Sequence, residues 1–333
     1  MINFIQNRLS EDLKFEYEKK GYAILPKIID DDNIEKLKIA FDRIFNNDYD
    51  RDIYPFDRVY KHGIDNPNLY KVNNGWWLNE KTEADWLKEV NSCDFIYISH
   101  NHPDHLHQLS LSQIKKEIPI VIPNFLSNSV FKFLKSMNFK NFKKFNFLET
   151  FNYKKTELNF MILKSGDFRD DSGLLLKYGN FSALFNVDSN FLNYFKLPEK
   201  LTMLASSFAG GAGAHPVCFE NLNENQKSIG QINKINSVKI LTEKLIKRTK
   251  PKYFMPYAGF FEEKALRDNY VKTMNKKNSI KDYKYLEKKY NLQLINLEIQ
   301  GSHSFCGEEL VSSSFTNNEK IKLNNEDTRK IIS

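Results

Sequence analysis

An apolar stretch, Ile96-Tyr97-Ile98-Ser99, runs straight into His100-Asn101-His102-Pro103-Asp104-His105. Three imidazoles and a carboxylate on the turn leaving a buried strand can converge on one or two divalent ions. At these spacings His100 and His102 can offer ring nitrogens to one ion while Asp104 and His105 reach a neighbouring one. Imidazole with carboxylate suits zinc, iron or manganese rather than calcium or magnesium. A loop merely rich in histidine is the weaker explanation, because the chain holds only seven His and three of them fall here.

The rest of the composition sets bounds. At 333 residues the chain exceeds the usual single domain, so one large domain with an appendage is expected. Hydrophobic residues at 41% are enough for a substantial core. The net charge is +7, but Lys is dispersed and forms no long basic tract. This suits a small anionic substrate better than nucleic acid, and a general Lys, Asn, Ile and Phe bias accounts for much of it. Cys93, Cys218 and Cys306 are widely spaced with no CxxC pair. They make neither a disulfide framework nor an iron–sulfur signature, which favours a reducing cytoplasm. Met1–Arg8 lacks the charged start and apolar core of a signal peptide, and no apolar run is long enough for a bilayer. A soluble, cytoplasmic protein without membrane contact is expected, and the oligomeric state is left open.

Along the chain, residues 11–45 read as helical at both ends around a short strand at Gly21–Pro26. The cluster Asp30-Asp31-Asp32-Asn33 supplies helix-capping chemistry. Residues 46–75 read as an irregular connector. From Trp76 strands and helices alternate: strand 94–99, helix 109–118, strand 120–122, helix 128–137 and strand 158–163. Strands 174–178 and 182–187 form a hairpin around Gly179-Asn180, and strand 201–205 enters a glycine-rich loop. A helix of about 25 residues ends before Pro251. Strand 253–255, helices across 261–291 and a strand near 292–299 complete the pattern. Such alternation suits sheets covered by helices, an α/β sandwich.

Strand-then-HxHxDH resembles the metallo-β-lactamase superfamily. One branch is closer still. Gly75-Trp76-Trp77-Leu78, the segment 94–107, Phe208-Ala209-Gly210-Gly211-Ala212 with Pro216, and Pro256-Tyr257-Ala258-Gly259-Phe260-Phe261 are similar to the metallo-β-lactamase-like part of CMP-N-acetylneuraminate hydroxylases. Asp268–Lys272 and Asn275–Asn278 continue the pattern. The resemblance implies an α/β class, metallo-β-lactamase-like αββα sandwich over residues 74–315, preceded by a small mixed α/β N-terminal appendage at 1–73. A disordered tail is expected at 316–333. Residues 15–72 carry a short resemblance to the start of phytanoyl-CoA dioxygenase-type proteins. It implies no dioxygenase activity, because the chain has no room for the jelly-roll that bears their iron ligands.

By the resemblance, His100 and His102 bind a first metal, Asp104 and His105 a second, and Asp188 is the bridging carboxylate. The superfamily's third histidine is absent before Leu174. Asp171 stands in that place, with Asp167 and Asp170 as competing choices. The final histidine is also missing, since the matching place reads Pro256-Tyr257-Ala258-Gly259. One ion is therefore expected ahead of two, zinc first, with iron or manganese as alternatives.

The function expected is a metal-dependent hydrolase. Metal-bound hydroxide would attack an amide, ester or phosphodiester of an anionic, sugar-nucleotide-like substrate, with Asp104 orienting the water or taking its proton. A second expectation is a component of an N-acyl-sugar hydroxylation system. That reaction needs a Rieske cluster, and this chain lacks the Cys-x-His pairs for one, so a separate redox partner would be required. A non-catalytic ligand-binding relic is the third.

Flanking residues are weaker candidates. The glycine-rich 208–214 segment suits either a substrate anion or a tight turn. His215, His107, Trp76 and Trp77 are read as second-rank or structural, and Lys272, Asn275 and Asn278 as a polar helix face.

Overall fold

The computed structural model describes residues 86–315 apart from 168, 187, 190, 193–195, 211–215, 218, 220, 264–268 and 298–300. Nearer the N-terminus it describes residues 15, 19 and 30–45. The chain divides into two compact units, Met1–Ile64 and Asp65–Ser333. In the first, α1 (Asp31–Phe45) starts as its acidic run anticipates. The Asn33 N–H donates to Asp30 Oδ1 at 2.8 Å, and Asp31 and Asp32 sit at the positive end of the helix dipole. Ile34, Leu37 and Ile39 stay exposed. The strand expected at 21–26, the connector, the boundary at 73/74, Trp76, Trp77 and the tail from 316 lie outside the described residues.

In the second unit α2 (Trp86–Ser92) leads into β1 (Ile96–Tyr97), α3 (Gln108–Gln113), β2 (Ile120–Pro123), α4 (Ser129–Ser136) and β3 (Phe142–Phe145). The three strands form a parallel sheet in that order, Ile96 opposite Ile120 and Ile120 opposite Phe142. Parallel neighbours need a crossover, and α3 and α4 provide it. Their Leu111, Val130 and Leu134 pack on Ile98, Ile120 and Ile122. Val121, between Ile120 and Ile122, points the other way and meets Phe160 and Ile162 of the next sheet. All four β2 residues are buried, as a strand covered on both faces requires. The helix expected at 109–118 stops early, because Ile114 is already extended (φ −75°, ψ 141°) and Lys116 Nζ donates to the free Leu111 carbonyl at its C-terminus.

A seven-stranded sheet follows: β4 (Thr150–Asn152), β5 (Leu158–Lys164), β6 (Ser172–Tyr178), β7 (Phe181–Phe185), β8 (Met203–Ser206), β9 (Tyr253–Pro256) and β10 (Gln293–Leu294). They stand in the order β10-β9-β8-β7-β6-β5-β4. Pairing is antiparallel from β4 to β7 and parallel from β7 to β10. The β6–β7 hairpin turns at Gly179-Asn180, with Gly179 at φ +53°. Between β8 and β9 runs α5 (Glu224–Thr249), opened by a reciprocal Asn223–Gln226 capping box and closed at Lys250, before Pro251. Then come α6 (Asn269–Met274), a 3₁₀ turn at Ile280–Tyr283 and α7 (Tyr285–Tyr290).

Strand alternation gives this sheet two apolar faces. Leu163, Leu175, Leu184, Leu204 and Phe254 point outward to Leu245 and Ile246 of α5, to Tyr283 and to Leu286 of α7. Ala183, Met203 and Tyr253 point inward to Phe305 and Leu310 of a hairpin, β11 (Gly301–Cys306) with β12 (Glu309–Phe315). Phe160 and Ile162 also point inward, to the first sheet. The layers are helices, sheet, sheet, helices, the αββα sandwich expected. β3, β4 and the β11–β12 hairpin are additions. Among the described residues no helix is long and apolar enough to cross a membrane.

Candidate metal centre

Three strand ends meet at one edge of the sandwich. His100 follows β1, Asp171 immediately precedes β6, and Asp188 lies just past β7. Because β6 and β7 are antiparallel, with Leu174 opposite Phe185, the start of one and the end of the other share an edge. The His100–His105 loop is a tight turn: the His102 carbonyl accepts from His105 N–H at 2.9 Å and Leu106 N–H at 2.7 Å. Pro103 presets the turn's φ and buried Leu106 anchors it in the first core. Asp188 is carried on a turn in which Ser189 N–H donates to Asn186 O at 2.8 Å. Buried Asn186 is fixed in turn by donating Nδ2–H to Ser206 Oγ at 2.9 Å.

Two groups of three ligand atoms result, and both use Asp188. One is His100, His102 and Asp188; the other is Asp104, His105 and Asp188. His100 Nε2 lies 2.8 Å from His102 Nδ1 and 3.7 Å from Asp188 Oδ2. His105 Nε2 lies 3.6 Å from the same Asp188 oxygen and 3.5 Å from Asp104 Oδ2. Atoms around a tetrahedral ion at about 2.0–2.1 Å stand roughly 3.4 Å apart, so these separations bracket what a small divalent cation needs. The donor set of imidazole nitrogen and carboxylate oxygen fits zinc, iron or manganese alike.

Asp171, expected as a further ligand, stands in neither group. Its Oδ1 accepts from Ser172 N–H at 2.7 Å and faces His100 Nδ1 at 3.3 Å, with both side chains only 1% exposed. Ser99 Oγ lies 2.9 Å from the same ring nitrogen. Asp171 therefore sits behind His100, on the side away from Nε2. A proton on Nδ1 directed at this carboxylate leaves the Nε2 lone pair free for a metal. Asp171 Oδ2 is buried without a hydrogen bond, 4.0 Å from the Arg169 guanidinium.

Of the competing choices, Asp167 is held by Arg169 Nε at 2.7 Å, whereas Asp170 is in neither ligand group. Arg169, which the sequence does not single out, also reaches the Asp188 carbonyl at 3.3 Å. It thus ties the segment before β6 to the turn after β7.

Burial, reinforced by the neighbouring imidazoles of His105 and His102, holds His100 down to about 3, so it is neutral at the pH of the cell. At His105 burial pulls the same way, but the hydrogen bond and charge of Asp188 outweigh it and raise the imidazole above its usual range. Hydrogen bonding from His105 holds Asp188 below the carboxylate range, while burial pushes Asp171 above it. Ser172 joins the two sheets behind the centre. Its hydroxyl donates to Ser99 O at 2.7 Å, which leaves Tyr97 Oη to donate to Ser172 Oγ, also at 2.7 Å.

His107 bonds Ser110 Oγ at 2.8 Å and precedes α3. Asn278 is a buried clamp, donating to the carbonyls of Phe208 and Ile235. Residues 211–215, including His215, lie outside the described residues. Within the Pro256–Gly259 segment, where the resemblance leads one to look for the final histidine, the Tyr257 N–H donates to Ser206 O at 3.0 Å.

Among curated proteins the chain is 32% identical over 223 residues to the cytidine monophosphate-N-acetylneuraminic acid hydroxylase of Pongo pygmaeus, covering 65% of this chain and 38% of that protein. It is 33% identical over 212 residues to the same enzyme of Mus musculus, 61% of this chain and 36% of the enzyme. The match thus spans well under half the length of these relatives. No family model matches the chain. Among solved structures, CmlA, a diiron β-hydroxylase from Streptomyces venezuelae, aligns with 15% identity and a TM-score of 0.41 over 62% of this chain and 44% of its own. YhfI, a metallo-β-lactamase-fold protein from Bacillus subtilis, aligns with 14% identity and a TM-score of 0.32 over 56% and 73%. Likeness at that level says nothing about the reaction. The αββα layering, the HxHxDH loop leaving the first sheet and the carboxylate after β7 give the chain a metallo-β-lactamase-like fold, and over about two thirds of its length its sequence is similar to cytidine monophosphate-N-acetylneuraminic acid hydroxylases.

Proposed function

We propose that the chain is a metal-dependent enzyme acting on an anionic, sugar-nucleotide-like substrate, and that it hydrolyses an amide, ester or phosphodiester bond. The observation that carries this reading is the convergence of His100, His102, Asp104 and His105 on the single carboxylate of Asp188. A divalent metal in this setting supplies Lewis acidity and lowers the pKa of bound water towards neutrality. The chain's own residues do the rest. His100, His102 and Asp188 form one grip, and His105 with Asp104 extends it. Asp171 and Ser99 orient the His100 ring from behind. The Asp104 side chain is more than half exposed, which suits it to take a proton from water at the open side. Arg169 keeps the two carboxylate-bearing turns in register.

A second reading is favoured by one observation, the similarity over 223 residues to hydroxylases of cytidine monophosphate-N-acetylneuraminic acid. Inserting oxygen into a C–H bond consumes O2, two electrons and two protons and yields the alcohol and water. This chain has no Cys-x-His pair with which to hold a Rieske cluster. Those electrons would come from a donor outside these 333 residues. One assay separates the readings. The full chain is loaded in turn with zinc, iron(II) and manganese(II) and given cytidine monophosphate-N-acetylneuraminic acid, with and without O2 and a reductant. Mass spectrometry then scores products. Release of acetate or of cytidine monophosphate, lost in His102→Ala, is the expected result. Gain of one oxygen atom only with O2 and reductant replaces it with hydroxylation. Failure to take up any of the three metals overturns both.

A further inference from the structure

Lys227 is 9% exposed, and it is the one lysine among the buried polar residues described. Buried ammonium groups are costly unless paired with an acid. Even lysines that are only partly buried here have such partners: Lys277 is bound to Glu263 at 2.6 Å and Lys239 to Asp282 at 3.3 Å. Lys227 forms no ion pair among the described residues. Its Nζ donates to Tyr270 Oη at 3.1 Å and lies 5.2 Å from the centre of that ring. A phenol satisfies one ammonium proton and leaves the charge unbalanced.

Lys227, Gln231 and Lys234 recur at i, i+4 and i+7 and so share one face of α5. That face meets the segment carrying α6: Gln231 Oε1 accepts from Lys276 N–H at 3.3 Å, and Lys234 Nζ donates to Asn275 Oδ1 at 3.4 Å. The glycine-rich exit of β8 runs along it, since a Cβ on Gly210 would fall 3.8 Å from Lys234 Cε. β8 runs parallel to β7, so its exit towards Gly210 and the Asp188 turn past β7 lie at the same edge of the sheet.

We propose that Lys227, with the Tyr270 hydroxyl, forms a subsite for a phosphate group of the substrate. The proposal rests on the reading above that the substrate is anionic. The ammonium supplies two further N–H donors and the phenol its O–H, charge-assisted and directed at phosphate oxygens.

Binding is measured on the full chain stripped of metal with chelator, so that catalysis plays no part. Inorganic phosphate and cytidine monophosphate are titrated calorimetrically at low salt. Wild type is expected to bind at least one. Lys227→Met weakens that binding about tenfold or more, Lys227→Arg restores most of it, and Tyr270→Phe weakens it several-fold. Tighter binding of the nucleotide marks the phosphate as part of a larger substrate, whereas equal binding marks phosphate alone. No binding by wild type, or equal binding by a folded Lys227→Met protein, overturns the proposal. If Lys227→Met does not fold, the Lys227→Arg and Tyr270→Phe pair decides it, and unchanged affinity in Tyr270→Phe counts against it. Metal content is measured on the same preparations. Loss of metal chemistry with phosphate binding intact sinks the catalytic reading and leaves this one standing, and the reverse also holds.

Discussion

Replacing Asp171 by Asn keeps the side chain's size and removes its charge. Asp171 Oδ1 is 3.3 Å from His100 Nδ1 in a place from which water is excluded. A carboxylate behind a ligating imidazole fixes its tautomer and raises its basicity, and losing such a partner costs about 10–100-fold in metal affinity. At roughly 1.4 kcal/mol per tenfold this is about 1.4–2.8 kcal/mol. The separation exceeds the ~2.7–2.9 Å of a strong charge-assisted bond, which puts the expected loss near the lower end, about tenfold. Without metal the sign reverses. Burial and the charge of Asp188 raise the Asp171 carboxyl, so ionising it destabilises the empty site. Asp171→Asn is therefore expected to unfold, metal-free and at neutral pH, at the wild-type temperature or above it. Calorimetric titration with zinc and iron(II), and thermal unfolding in chelator, read the two effects separately. A loss beyond about a thousandfold is too large for an orienting partner and would mean that Asp171 grips the ion itself. Unchanged affinity with a lowered metal-free midpoint would mean that it serves folding alone. Either result refutes the argument.

Three further outcomes are expected. His102→Ala removes an exposed ligand, so metal retention by elemental analysis and turnover vanish together while metal-free stability moves by no more than about 0.5 kcal/mol. His100 titrates near 3 when folded and near its ordinary 6.5 when unfolded, so below 6.5 the unfolded chain binds the extra proton. Metal-free stability therefore falls as pH drops from 6.5 towards 3, this group contributing up to about 1.4 kcal/mol per pH unit. Urea unfolding of wild type and His100→Gln at several pH values checks this, and equal slopes would contradict it. Gly230→Ala gains about 1 kcal/mol in helix propensity, but its Cβ would stand 2.5 Å from Pro216 Cγ. Displacing that ring costs about 1–3 kcal/mol, so a net loss in denaturant midpoint is expected.

The sandwich was legible where the chain's chemistry is locally unambiguous. Buried parallel strands such as Ile120–Pro123, the Gly179-Asn180 hairpin and the capped helix before Pro251 each carry a signal within a few residues. β3 carries Lys143 and Lys144 between two phenylalanines and β4 is three residues long, so neither stands out from a loop until its neighbour is known. Hairpin 301–315 is polar on one side, and its register shifts at Ser304/Phe305, which hides the alternation.

The clustering of His100, His102, Asp104 and His105 was written in their spacing. The position of Asp188 was carried by the resemblance. What no local pattern contains is which nitrogen of His100 faces which carboxylate, since that depends on β1 and β6 lying in different sheets. Arg169 and Lys227 were missed for the same reason. Each is an ordinary basic residue until partners 19 and 43 positions away are placed beside it.

The metal residues are carried and braced within one stretch of the chain. Every side chain of both ligand groups comes from residues 100–188, and each carrying turn is fixed from within that span or by β8. The His100–His105 turn closes on its own backbone and on Leu106. The Asp188 turn is held by Asn186 bonding Ser206 and by Arg169 bonding the Asp188 carbonyl. The two sheets are joined at this edge by Ser172, through Tyr97 on one side and the Ser99 carbonyl on the other. A hydrogen-bonded join buried beside the ligands resists shear better than apolar contact alone, because sliding it leaves polar groups unpaired away from water. Ser172→Ala is thus the substitution that should loosen the centre without touching a ligand. It leaves the Tyr97 hydroxyl and the Ser99 carbonyl short of a partner, at a cost of about 1–3 kcal/mol. Its mark would be weaker metal binding together with a lower metal-free midpoint, the joint loss that Asp171→Asn is expected not to show.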